Sequence, residues 1–189
     1  MKKWFSELKP GNILIEVLSV VFAVLLALFL NEWRSEKLTQ ATFEEARTKI
    51  QNEIRENAEE IRTKQKYHKQ QVVQLESIAD SLLLSDKALY EYDNFGIAII
   101  NLKFAAWESV RMTEIVNEFS FDDLSRLAEI YKGFETMNGL QDNMIGIIYS
   151  MDFNDNNKRV EAYHSIRSYL FQIQIWEQEI LADLDQFEL

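Results

Sequence analysis

The sequence predicts an all-α chain in which one N-terminal transmembrane helix continues into an antiparallel helical bundle. Three observations carry that expectation. Residues 13–30 form one apolar run, ILIEVLSVVFAVLLALFL, with a single charge and a single hydroxyl. The 189 residues contain one proline and five glycines, too few for the many turns of a sandwich or barrel. Beyond residue 34, apolar side chains recur at helical spacing in several long stretches. The expected division is an interfacial lead at 1–11, a transmembrane helix at 12–33 and a soluble helical bundle at 34–189.

The span comes first. Eighteen residues at 1.5 Å each reach about 27 Å, close to a hydrocarbon core. Trp4 and Trp33 flank it and suit the two membrane–water interfaces. Pro10 and Gly11 are expected to separate the short lead from the helix, with Asn12 as its cap. Lys2, Lys3 and Lys9 precede the span against Glu7 alone, while the residues after it are mixed in sign. The positive-inside rule then expects a cytoplasmic N-terminus and a body across the membrane, periplasmic in a bacterium. No small-x-small cleavage site follows the apolar run, so the expectation is a retained signal anchor, not a cleaved leader.

One face of the span stands apart. Glu16, Ser19, Ala23, Ala27 and Asn31 share a sector of roughly 120° at 100° per residue. Small residues at that spacing let a second helix backbone approach closely. This face is expected to meet a copy of the chain or a partner membrane protein, with Leu, Val and Phe turned to lipid. Glu16 adds a second possibility. Ionisable groups inside spans mark proton and ion paths, as in an accessory subunit of an ion-driven inner-membrane complex. Its place only one turn inside the cytoplasmic end favours instead a headgroup contact, pairing with Lys9 or neutralisation.

The soluble elements follow in order. Phe43, Ala46, Ile50, Ile54, Ala58 and Ile61 mark an apolar stripe, interrupted by Asn57. The polar run at 64–71 (KQKYHKQQ) reads either as continuous helix or as a break. Val72, Leu75, Ile78 and Leu82 resume the stripe, which is expected to end at Ser85 and Asp86. A helix is expected over about 101–117, with Trp107 in the core and Glu108 capping or pairing with Arg111. Ile97 to Ile100 is apolar enough for a strand but has no evident partner strand. Ser120 is a good N-cap, followed by Asp122 and Asp123 in a first turn. Asn154 to Asn157 reads as a turn. A last helix is expected over about 158–187, with Val160, Tyr163, Ile166, Leu170, Ile173, Trp176, Ile180 and Leu184 inward.

Composition narrows function. Hydrophobic residues at 47% and charged residues at 27% support a packed core. A net charge of −11 argues against a nucleic-acid partner. Without cysteine the chain has no disulfide, thiolate metal site or cysteine nucleophile. Glu161 and His164 have an E-x-x-H spacing, but a di-iron bundle needs that motif twice, and Gln65 stands three before His68. Both histidines are therefore expected to be exposed or at the core edge. No phosphate loop, nucleophile elbow or zincin motif occurs. No catalytic residue, cofactor or metal site is expected.

The residues Glu16, Val20, Ala23, Val24, Leu25, Ala27, Leu28, Asn31 and Trp33 form the pattern E-x-x-x-V-x-x-A-V-L-x-A-L-x-x-N-x-W. It resembles the anchor of a family of small bacterial single-span membrane proteins built around a domain of unknown function. Ala106-Trp107-Glu108 and the later Leu127 and Tyr131 are similar to that family's middle region. Where the family often carries Thr-Gly, this chain reads Met112-Thr113-Glu114. The resemblance implies a bacterial inner-membrane placement and no activity. The function expected is that of a membrane-anchored interaction or scaffold protein whose partners are the lipid bilayer and a second membrane helix.

Overall fold

The computed structural model describes residues 10–84, 96–152, 155–185 and 187, with backbone alone at 10–13, 79–84 and 156. The elements are α1 (Pro10–Leu84), α2 (Ala105–Arg111), a 3-10 turn at Glu114–Glu118, α3 (Phe121–Ser150) and α4 (Asn156–Leu184). No strand occurs among the described residues, and the all-α class holds.

By its internal contacts the chain divides into Met1–Glu45 and Ala46–Leu189. The first unit carries the N-terminal part of α1. Pro10 and Gly11 already belong to that helix, so they do not mark a break before it and Asn12 is not its cap. Proline has its φ fixed near the helical value, so it does not by itself exclude helix at this point. Leu14 to Leu30 is apolar and exposed. Among the described residues α1 alone is long and apolar enough to cross a membrane.

The second unit is a bundle. Arg62 pairs with Asp185, His68 with Glu177 and Glu76 with Arg167. The α4 partner descends as the α1 residue rises, so these helices run antiparallel. The polar stretch at 64–71 is uninterrupted helix. The helices α3 and α4 pack against each other as an antiparallel pair. Gly133 brings them close: a Cβ there would stand 3.0 Å from Ile180 Cγ1. Ser120 caps α3 as expected, its Oγ accepting from Asp123 N at 3.1 Å. Asp155 caps α4, accepting from Asn157 N and Lys158 N. This short acidic cap explains why α4 starts two residues before the expected position; Asn154 and the expected end at Ser85 and Asp86 lie outside the described residues.

Ile50, Ile54, Ala58, Ile61, Leu75 and Ile78 of α1 are buried, as are Leu127, Phe134, Met137 and Met144 of α3 and Ile166, Leu170, Ile173 and Ile180 of α4. On α4 the inward position is Glu177, fully buried, and not Trp176, which is half-buried. The inward set 163, 166, 170, 173, 177, 180 alternates steps of three and four, which is what keeps one seam facing a neighbouring helix. Apolarity suggested Trp176; the step rule selects 177.

Candidate functional site

Residues 96–104 are not helical, so the helix expected from residue 101 begins only at Ala105. This segment lies along α1 in the opposite direction. Gly96 meets Gln71, Ala98 meets His68, Asn101 meets Glu60 and Lys103 meets Asn57. It has no partner strand among the described residues. Side chains of α1 and α3 take its backbone groups instead; Ile100 is buried, and a buried peptide group has to find a partner.

Three carboxamides do this work because an amide side chain offers one donor and one acceptor side by side. Asn57 Nδ2 donates to the Lys103 carbonyl at 2.8 Å, and Lys103 N donates to Asn57 Oδ1 at 2.8 Å. Gln141 of α3 does the same at Ile100: the Ile100 amide donates to Oε1 at 2.7 Å and Nε2 donates to the carbonyl at 3.1 Å. Gln71 Nε2 donates to the Gly96 carbonyl, and Ala98 N donates to Gln71 Oε1 at 3.5 Å.

His68 supplies a fourth contact, and its neighbours fix its protons. The Ala98 carbonyl, 2.6 Å from Nε2, can only accept. Nε2 therefore carries hydrogen. Nδ1 lies 2.5 Å from Glu177 Oε1, so one further proton lies between those two atoms. Both side chains are fully buried. Glu177 Oε2 accepts no hydrogen bond among the described residues. His68 was expected at the surface or core edge; it is buried because it links α1, α4 and the extended segment at once. His164 is exposed, and no group of metal-ligating side chains forms among the described residues.

Glu53 organises the next part of the segment. Its carboxylate accepts from Ala106 N at 2.8 Å and Trp107 N at 3.2 Å, capping α2, whose own Phe104 N-cap makes no side-chain bond. Tyr131 OH donates to the same carboxylate at 2.7 Å. The Trp107 indole is buried as expected and stacks on Tyr131, with ring centroids 5.2 Å apart and planes 10° apart. Arg111 stands over that indole, 5.7 Å from its centroid; the guanidinium meets the ring face, an attraction of the cation–π kind. Glu108 is exposed.

Burial first, then the bond to Glu53 and its charge, hold the Tyr131 phenol well above its ordinary range. The folded chain thus keeps a proton that an unfolded chain loses near pH 10. Stability from this group is complete below about pH 10 and falls as pH rises further. Tyr131→Phe should flatten the alkaline limb of a plot of urea midpoint against pH. An equally steep limb in the variant would assign the alkaline loss to other groups.

The residues singled out in the span are all on α1. Glu16, Ser19, Ala23, Ala27 and Asn31 are exposed, as is Trp33. Ser19 Oγ donates to the Ile15 carbonyl at 2.8 Å, within its own helix. Trp4 lies outside the described residues. No protein-family model, no curated protein and no solved structure matches this chain.

Proposed function

We propose that this chain is a membrane-anchored helical interaction protein, tethered through residues 12–33 and associating with itself or a partner through one face of that helix. The observation that carries the reading is the exposure of Leu14 to Leu30. Phe22 and Phe29 are 68% and 67% exposed, and a contiguous apolar surface of that extent belongs against lipid or another protein. The three lysines at the N-terminal side support a cytoplasmic N-terminus and a periplasmic bundle. The resemblance of the anchor pattern supports a bacterial inner membrane.

The test separates tethering from association. Sodium carbonate extraction of native membranes should leave the chain in the pellet. Single cysteines placed at Thr39 and Glu179 should react with an impermeant maleimide added outside the inner membrane. Ala23→Leu with Ala27→Leu fills the small-residue face and should lower the cross-linked dimer or partner complex roughly tenfold, the equivalent of 1–2 kcal/mol. A monomer indifferent to both substitutions would sink the associating half of the proposal. Glu16→Gln tests the ion-path alternative: intact insertion with lost activity of the native complex favours it, and full complementation removes it.

A further inference from the structure

Residues 96–103 are fastened to the bundle by side chains, and of these residues only Ile100 is buried. A segment with so little apolar burial can open while the helices beside it stay folded. Its fastenings differ in kind. Asn57, Gln71 and Gln141 are carboxamides and carry no charge. Glu60 accepts from the exposed Asn101 amide at 3.4 Å. His68 holds the Ala98 carbonyl at 2.6 Å and shares a proton with Glu177 across 2.5 Å. Histidine is the side chain that ordinarily changes charge between pH 5 and 8.

The geometry at His68 admits one protonation state. Two ring protons and an ionised Glu177 make the pair neutral as a whole. Without the shared proton, an imidazole lone pair would face a carboxylate oxygen at 2.5 Å. With one proton more, on Glu177, the imidazolium would lose its counter-charge in a fully buried site. No neighbouring charge stands in for either partner. On α1, Lys64 lies one turn from His68 and sits 3.7 Å from Glu60. On α4, Arg167 lies nearly three turns from Glu177 and is engaged by Glu76 at 3.3 Å. On the segment, Lys103 pairs with Glu56 at 2.8 Å. Buried Met137, Gln141 and Met144 of α3 do not titrate, and its buried Tyr131 is bound to Glu53. The other buried charged residues among those described are Glu53 and Arg159. They lie about 22 Å along α1 from His68 and about 27 Å along α4 from Glu177.

We propose that residues 96–103 are a strap latched by the proton that His68 and Glu177 share, closed in weakly acidic conditions and loosened as pH rises above them. In an open, solvated strap the imidazole gives up its proton at about pH 6.5, and the carboxylate takes one at about pH 4.3. Between those values the open and closed forms bind equal numbers of protons, so opening does not depend on pH. Above about pH 6.5 the open form binds one proton fewer, and opening grows about tenfold per pH unit. Opening uncovers Ile100, only 2% exposed in the closed form. Every residue of the latch belongs to the second unit, so the proposal is independent of the reading of the anchor.

The experiment follows hydrogen exchange in the full chain, held in lipid nanodiscs, from about pH 5.5 to about pH 8.5. Division by the intrinsic rate at each pH gives protection factors. Those of Ala98 and Ile100 should be level to about pH 6.5 and then fall about tenfold per unit, while those of Leu127 and Phe134 in α3 hold. Glu177→Gln removes the charge and offers Nδ1 an amide donor in place of the shared proton, so its profile should stay level throughout. The chain has two histidines, and their nitrogen-15 shifts give a reading that needs no variant: Nδ1 of His68 should carry its proton while the strap is closed. Four results would each overturn the proposal: a level profile in the unsubstituted chain, an equal slope in Glu177→Gln, an equal fall in α3, or an Nδ1 without its proton while Ala98 keeps full protection.

Discussion

Replacing His68 by alanine is expected to lower the free energy of unfolding by about 3–5 kcal/mol, the cost of removing one partner from a buried pair that shares a proton. Two groups lose their partner at once. Glu177 Oε1 has its short contact with Nδ1 alone, and its second oxygen is already without a hydrogen bond among the described residues. The Ala98 carbonyl loses the donor at Nε2. Glu177→Ala should cost a similar amount, since it leaves Nδ1 facing nothing polar. The double replacement His68→Leu with Glu177→Leu should cost clearly less than the sum of the two single changes, because two apolar side chains on one seam can pack together. Urea unfolding followed by circular dichroism in mild detergent gives the cycle. Hydrogen exchange at residues 97–103 reports the second consequence: amides there should lose protection in His68→Ala well before those of α3. Additive single changes would mean that the two residues do not act as a pair.

Glu53→Ala should be comparably severe, again about 3–5 kcal/mol. One carboxylate accepts from two backbone amides and a phenol. Each buried donor left unpaired costs about 1–3 kcal/mol. The effect should also be local, since α2 has seven residues and no other side-chain cap. A helix that short depends on tertiary support. Its loss should be seen as a red shift of Trp107 fluorescence and as faster exchange at Ala106 and Trp107. Glu53→Gln keeps one acceptor oxygen but turns an NH2 group towards donors, so it should fall between wild type and Glu53→Ala. A Glu53→Ala chain that melts within 1 kcal/mol of wild type (about one ordinary hydrogen bond) would show that water replaces the carboxylate.

Much of this architecture was legible in the sequence, and the part that was not has a common cause. Apolar spacing located the stripes of α1, α3 and α4, and Ser120 marked the start of α3. The inward residues that were missed are polar. On α1 the seam runs Ile50, Ile54, Asn57, Ile61, Lys64, His68, Gln71, Leu75 and Ile78, in unbroken steps of four and three. On α3 it runs Leu127, Ile130, Phe134, Met137, Gln141 and Met144. Reading for apolarity makes Asn57 an intrusion, the run at 64–71 a possible break and Gln141 unremarkable. Reading for the step alone puts all three inside. A buried polar residue in such a seam must then find a partner, and residues 96–103 are where most of those partners lie. The extended form of that segment was not legible, because Asn101 to Val110 satisfies helical spacing just as well. Long-range hydrogen bonds outweighed the local pattern. Glu53 gave no signal: it is buried beside the seam, but in the sequence it stands among acids of a solvated face.

The amide clasp on residues 96–103 also bears on the health of the chain in a crowded cell. Gly96-Ile97-Ala98-Ile99-Ile100 is uncharged, proline-free and rich in β-branched residues, the composition of segments that seed cross-β stacks. An extended segment that presents its N–H and C=O groups invites a neighbouring molecule to continue the ladder. Here the groups of Ala98, Ile100 and Lys103 are already taken by helical side chains. Asn57, His68, Gln71 and Gln141 thus act as gatekeepers, keeping a sticky peptide unavailable to its own kind for as long as the bundle stays folded.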